Sequence, residues 1–279
     1  MKNFRVLIIS AFLIFCTHSV FAEGGNLRIH FIDVEEGDST LIQTPKGASV
    51  LVDAGNPITG VRVAGYLNEE GVEGLDYLIL THPHVDHIGG TFHLLQTMDV
   101  KRVCDNGDSF RKSDVFRWYD KLVRNDDRYS VLKEADSFSL DEVSFKVIWP
   151  PQPLVFSNGN ANSMVIMVEF KDFRCLLTAD LTVPGEKMLL KKKEDVRADL
   201  LKVSHHGAND ASSIEFLEKV SPGISVMSVK GDTMKGYASP KVLKRLKDIG
   251  SKIYRTDKDG DVIVDVDING NVKVETTRR

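Results

Sequence analysis

Cysteine is scarce in this 279-residue chain: there are three, and none is spaced for a cysteine-based metal site. Positive charge is not in excess either. Thirty-six Lys and Arg stand against 40 Asp and Glu, a net charge of −4. Such a surface has no general attraction for a polyanion, although a local basic groove remains open. Internal repeats and low-complexity stretches are missing, and no linker divides the chain. Collagen-like, stalk-like and long disordered architectures are thereby excluded. What remains, 42% hydrophobic and 27% charged, suits a soluble globular fold large enough to bury a core.

Long hydrophobic runs are also lacking, except at the start. Lys2 and Arg5 precede the apolar run 6–15, and Val20-Phe21-Ala22 offers small residues where a signal peptidase reads. The pattern predicts a signal peptide over 1–22, cleavage after Ala22, and an exported domain over 23–279, periplasmic or extracellular. The run is too short for a comfortable membrane span, so no stable span is expected after cleavage. Phe15 beside Cys16 argues against a lipoprotein. Loss of Lys2 and Arg5 lowers the basic count from 36 to 34 against 40 acids, a net −6. Cys104 and Cys175 remain; in an exported protein they could pair, or lie apart as buried thiols.

Hydrophobic alternation predicts strands at 27–33, 40–43, 49–53 and 75–81, with helices at 60–70, 89–97 and 114–124. In the second half it predicts strands at 144–149, 163–170, 174–177, 200–203 and 224–229, and helices at 186–192, 212–219 and 240–249. A hairpin closes the chain, 262–266 and 272–274 around the turn Asn269-Gly270. This mixture is an α/β fold with mixed sheets. Asp257-Lys258-Asp259-Gly260-Asp261 mimics the start of a calcium loop, but Val262 and Ile268 occupy the positions that need Gly and Glu. It reads as a charged turn.

The densest chemistry is Thr81-His82-Pro83-His84-Val85-Asp86-His87, placed where a buried strand runs out. Alternate residues of an extended segment project the same way, so His82 and His84 can reach one ion. Asp86 and His87, at the turn into a helix, can face a second. Imidazole and carboxylate suit zinc, manganese or iron(II). Pro83 stiffens the loop, and Gly89-Gly90 let backbone pack closely behind it. Only eight histidines occur in the chain, so three within six positions is improbable by accident. Two further apolar strands end in metal-competent residues: Leu176-Leu177-Thr178-Ala179-Asp180 and Leu201-Lys202-Val203-Ser204-His205-His206-Gly207. A carboxylate at a strand end can bridge two ions. Of the histidine pair, one would be a ligand and the other could face substrate.

These segments resemble the metallo-β-lactamase superfamily, and within it the ComEC-like branch, the hydrolase domain of DNA-uptake proteins and its stand-alone relatives. The resemblance runs from about Leu27 to Val264. It includes Phe31-Ile32-Asp33-Val34-Glu35-Glu36-Gly37-Asp38-Ser39, Leu51-Val52-Asp53-Ala54-Gly55 and the closing Tyr254-Arg255-Thr256-Asp257 with Gly260. It implies a four-layer αβ/βα sandwich with two divalent metal ions, zinc first and manganese second, at the edge between two sheets. It assigns His82 and His84 to the first ion, and Asp86, His87 and one of the 205/206 pair to the second. His205, next to the strand end, is taken as that ligand, and Asp180 bridges. The wider superfamily has a third first-site histidine where this chain reads Asn158-Gly159-Asn160-Ala161-Asn162-Ser163. Amide oxygen is a weaker ligand than imidazole, so a looser first site is expected, with Asn160 or Asn162 contributing. Glu35-Glu36 and Ser239 depart from the branch, which often has Gly-Gln and His there.

Two ions about 3.5–4 Å apart can share a water and lower its pKa toward neutrality. On this reading Asp86 orients the resulting nucleophile, His206 serves the leaving group or binds phosphate, and Asp53 supports a ligand histidine. Lys202 and Lys230 are read as solvated lysines before phosphate contacts. The expected substrate is a phosphodiester, DNA or an envelope polymer, and no protein partner is implied. An amide or ester hydrolase (β-lactam or lactone) and a non-catalytic binding protein on the same fold are the alternatives.

Overall fold

The structure, a computed structural model, describes residues 25–109, 113–231 and 236–278. The expected signal segment 1–22 lies outside the described residues. Three antiparallel strands come first: β1 (Leu27–Phe31), β2 (Thr40–Gln43) and β3 (Ser49–Val52). Helix α1 (Gly60–Glu69) leads through the short β4 (Gly74–Leu75) to β5 (Tyr77–Leu80). Then come α2 (Val85–Ile88), α3 (Thr91–Thr97), β6 (Asp99–Val100), β7 (Val103–Asp105), α4 (Asp114–Leu122) and β8 (Tyr129–Val131). Strands β3, β5, β7 and β8 are parallel neighbours, and parallel pairs need the helical crossovers found between them.

The second half repeats this plan. An antiparallel meander, β9 (Ser137–Leu140), β10 (Val143–Trp149), β11 (Val165–Phe170) and β12 (Phe173–Leu177), comes first. Parallel crossovers follow through α5 (Val183–Lys191), β13 (Leu200–Lys202), α6 (Ile214–Val220), β14 (Ile224–Met227), α7 (Pro240–Asp248) and β15 (Lys252–Arg255). One helical turn, α8 (Thr256–Asp259), passes to the hairpin β16 (Val262–Val266) and β17 (Val272–Thr276), and β16 returns to pair with β1. The sheets have orders β17-β16-β1-β2-β3-β5-β7-β8 and β15-β14-β13-β12-β11-β10-β9, with β4 and β6 forming a small pair apart.

Strand alternation sorts the apolar side chains into three cores. Leu27, Ile29 and Phe31 of β1 meet Phe145, Ile166, Val168, Cys175 and Leu200 between the sheets. Leu41, Leu51, Leu78 and Leu80 face outward onto Val63, Leu67, Leu94 and Phe116 of the helices. Val165, Met167, Leu176 and Leu201 face the other way onto Leu189, Phe216, Leu217 and Leu246. Three cores between four layers make the αβ/βα sandwich. Each buried Leu, Ile or Phe stabilises it by about 1.5–3 kcal/mol.

Some elements differ from the sequence reading. The helix expected over 89–97 is α3, which starts at Thr91, and a separate short helix, α2, begins inside the histidine motif at Val85. Helix α5 starts at Val183 rather than 186, with a proline in its first turn, where a missing N–H costs nothing. Cys104 and Cys175 are both free and buried in the inter-sheet core. In the aspartate-rich turn, Asp257 binds the Arg255 guanidinium and Asp259 accepts the Arg255 N–H, so these carboxylates cap the chain's own groups.

Candidate metal centre

The candidate residues follow the C-terminal ends of strands from both sheets. After β5, the Thr81 N–H and hydroxyl both donate to the Asp53 carboxylate at 2.8 Å, which aims His82 inward. His84 caps α2 in an extended conformation, and Asp86 and His87 sit in that helix's first turn. The backbone beneath is very close. A Cβ on Gly90 would lie 2.0 Å from the Ala54 carbonyl oxygen, and one on Gly89 2.3 Å from Pro57. From the second sheet come Asp180, after β12, and His205-His206, after β13.

Four non-glycine residues here have left-handed backbone: Asp53 (φ 62°), Ala179 (φ 44°), His205 (φ 50°) and His206 (φ 52°). Each such residue costs about 1–3 kcal/mol and persists only where its surroundings hold it. The His205 N–H is tied to the Ala179 carbonyl at 2.9 Å.

Asp180 is the hub. Its Oδ2 lies 3.4 Å from His87 Nε2 and 3.7 Å from His82 Nε2, and its Oδ1 lies 3.5 Å from His206 Nε2. Asp86 Oδ2 is 3.4 Å from His206 Nε2 and 3.9 Å from His87 Nε2. His84 stands beside His82, ring centroids 4.5 Å apart, and is more open to solvent. His82, His87 and Asp180 make one group with converging ligand atoms; Asp86, His87 and His206 make another.

The remaining ring nitrogens decide what these groups can do. His87 Nδ1 is 2.8 Å from Asp53 Oδ2, and His206 Nδ1 is 3.1 Å from the Ser228 carbonyl. Both partners only accept, so each Nδ1 carries hydrogen. Thr81 donates its hydroxyl hydrogen to Asp53, so its oxygen accepts from His82 Nδ1 at 3.1 Å. In all three neutral rings Nε2 is then a lone pair aimed at the shared space. Those three Nε2 atoms and Asp180 Oδ1 are buried and lack a hydrogen-bond partner. Orphaned buried acceptors are costly to a fold. Four around one space, each ring oriented from behind, are the donor set of divalent cations.

The carboxylates make this space attractive to positive charge, which a proton on a ring or a bound cation can supply. Burial disfavours charge on His87 and His206, but Asp180 with Asp53 and Asp86 holds His87 well above the usual imidazole range, and Asp180 with Asp38 pushes His206 to about 10. Burial also opposes the Asp180 charge, yet His206 and His87 keep it ionised far below the ordinary range. His82 and His84 are held low by burial and by neighbouring His87.

His205 sits at the rim. Its Nδ1 meets Asp210 Oδ1 at 2.8 Å, its Nε2 is 3.1 Å from Asn160 Nδ2 and 3.9 Å from Asp180, and its ring faces Tyr237 at 5.7 Å. Of the two asparagines, Asn162 ties down the loop through Phe156 and Asp108. Asn160 is the one facing the site, with a buried, unpartnered Oδ1. Lys230 is exposed and paired with Glu35 at 2.6 Å. Lys202 corrects the reading of a solvated lysine: it is buried and ion-paired with Asp38. Sequence reasoning assigned no role to Asp38, Ser228 or Asp210.

Residues 32–231 match the metallo-beta-lactamase superfamily. The chain is 28% identical over 273 residues to ComE operon protein 3 of Bacillus subtilis (strain 168), covering 90% of this chain and 34% of that protein. It is 26% identical over 262 residues to competence protein ComA of Neisseria gonorrhoeae, covering 93% and 35%. It thus spans about a third of the length of these curated relatives. Among solved structures, the metallo-beta-lactamase fold protein YhfI from Bacillus subtilis superposes with a TM-score of 0.54 at 13% identity, over 89% of this chain and 99% of that one.

Proposed function

The chain belongs to the metallo-beta-lactamase superfamily, and from that premise we propose that it is an exported, metal-dependent phosphodiesterase. The observation that carries this reading is the convergence of three buried Nε2 lone pairs on Asp180, each ring fixed from behind. We assign His82, His84 and Asp180 to one divalent ion, zinc or manganese, with Asn160 beside it. We assign Asp86, His87, His206 and Asp180 to the other. His206 replaces His205 as the expected ligand because its Nε2 lies nearer both carboxylates. Such ions supply positive charge for a developing oxyanion and make a water more acidic.

The protein's own groups do the rest. Asp180 sets the spacing of the two positions, and Asp86, 28% exposed, borders the solvent side where it can orient an attacking water. His205, held by Asp210, is placed to hand a proton to the departing oxygen and takes over the role expected of His206. The names of the relatives ComE operon protein 3 and competence protein ComA support a nucleic-acid-type phosphodiester. The N-terminal pattern supports export. No helix among the described residues is long and apolar enough to cross a membrane.

The test assays bis-(p-nitrophenyl) phosphate and nitrocefin side by side, after chelation and after metal re-addition. Metal-dependent turnover of the phosphodiester supports the reading. Turnover of nitrocefin alone replaces it with an amide hydrolase. Stoichiometric metal without turnover of either replaces it with a binding protein.

A further inference from the structure

Beneath the centre, one lysine lies between the two sheets. Lys202 ends β13, two residues after Leu200, which points into the inter-sheet core. Strand alternation sends Lys202 the same way, and it is 2% exposed. Its ammonium is ion-paired with Asp38, itself 3% exposed at the side chain, and lies 3.5 Å from the Ala179 carbonyl oxygen. Asp38 in turn faces the candidate ligands: Oδ1 is 3.5 Å from His206 Nδ1, and Oδ2 is 3.9 Å from His87 Nδ1.

Packing does not explain this pair. Apolar residues of similar volume stabilise a core as well as a buried ion pair, or better. Charge does explain it. Four carboxylates, Asp38, Asp53, Asp86 and Asp180, crowd the histidines. Among the described residues, Lys202 is the sole lysine or arginine ion-paired with any of them.

We propose that Lys202 is a resident cation of the metal centre: it neutralises part of the carboxylate cluster before any ion arrives, and it weakens the hold on the divalent ion at Asp86, His87 and His206. The proposal rests on the metal-centre reading above. It makes two effects of one residue opposite in sign. Removing the lysine destabilises the metal-free protein, because buried Asp38 loses the one lysine that is ion-paired with it. The same change tightens cation binding, because a repulsive charge is gone. A lysine that merely strapped the sheets together would lose both.

The experiment titrates zinc against a competing chromophoric chelator and melts the metal-free proteins. Lys202→Met is expected to bind zinc at Asp86, His87 and His206 at least about tenfold more tightly, or about 1.4 kcal/mol, while its metal-free Tm falls. A gain of this size is of the order that Coulomb repulsion between neighbouring like charges gives at an effective dielectric of about 20. Asp38→Asn is expected to weaken the same site, and Lys202→Met added to Asp38→Asn is expected to restore it at least about fivefold. The double variant leaves no unpaired charge, so it reports even if Lys202→Met alone does not fold. Equal or weaker zinc binding on removing Lys202 in both backgrounds overturns the proposal. Absence of stoichiometric zinc in the unaltered protein overturns the metal-centre reading instead.

Discussion

Replacing Asp53 by Asn should empty the metal centre without touching a ligand. Asp53 accepts three hydrogen bonds, from the Thr81 N–H, the Thr81 hydroxyl and His87 Nδ1, each at 2.8 Å. Asparagine has the same shape and tolerates left-handed backbone, which residue 53 requires at φ 62°. Its amide can still accept from the Thr81 N–H, but its NH2 then faces the other two partners. His87 must accept at Nδ1 and carry its hydrogen on Nε2. The Thr81 hydroxyl must turn to accept from the amide and donate to His82 Nδ1, which moves the His82 hydrogen to Nε2 as well. Two lone pairs leave the site through one substitution. Loss of a partner that orients a metal-bound histidine costs about 10–100-fold in affinity. Two such losses give about 10²–10⁴-fold, or about 2.7–5.5 kcal/mol. The metal-free protein should melt close to the unaltered one, because the amide still offers a hydrogen-bond partner to each of the three groups that Asp53 holds. Competitive zinc titration measures the affinity, and nitrogen-detected spectra of the histidine rings report which nitrogen bears hydrogen. Affinity within about threefold of the unaltered protein, or rings that keep hydrogen on Nδ1, would refute the reasoning.

Further expectations concern the histidine pair, the glycine contact and acid stability. His206→Ala should retain one equivalent of zinc. His205→Ala should retain two yet lose about 10²-fold or more in kcat, and elemental analysis beside turnover separates them. Gly90→Ala should cost about 1–3 kcal/mol in urea unfolding, since its Cβ meets the Ala54 carbonyl oxygen at 2.0 Å and Gly60 Cα at 2.9 Å. His30, buried and bonded to Tyr66 at 2.8 Å, has its pKa lowered by burial and by Arg28 to about 3. The unfolded chain takes up that proton below about pH 6.5. Stability from this group is therefore present above pH 6.5 and falls as pH drops toward 3, by about 5 kcal/mol in all. His30→Gln should show a shallower loss of stability over that window.

The site was legible where chemistry is local. His82, His84, Asp86 and His87 stand within six residues at the end of one apolar run, and strand ends at Asp180 and His205-His206 announced the other half. Alternation marked the strands and the mixed α/β character, because Leu27, Ile29 and Phe31 and their like bury one face at a time, while the four layers came from the family resemblance. Short strands were not legible. Val103–Asp105 and Tyr129–Val131 have three residues each, too few to show a period. Lys252–Arg255 runs into Tyr254-Arg255-Thr256-Asp257, a motif read for its side chains. The roles within the histidine pair depended on two successive left-handed residues, and that conformation has no signature in a histidine side chain. Lys202 could have been found: it shares the face of Leu200, and a lysine on a buried face calls for a partner.

The pairing of β1 with β16 joins Leu27 to Val266 and Phe31 to Val262. The earliest strand of the domain therefore waits for one of the latest before both its edges are covered. About 230 residues of chain lie between these two strands, and pairings that join such distant segments form slowly.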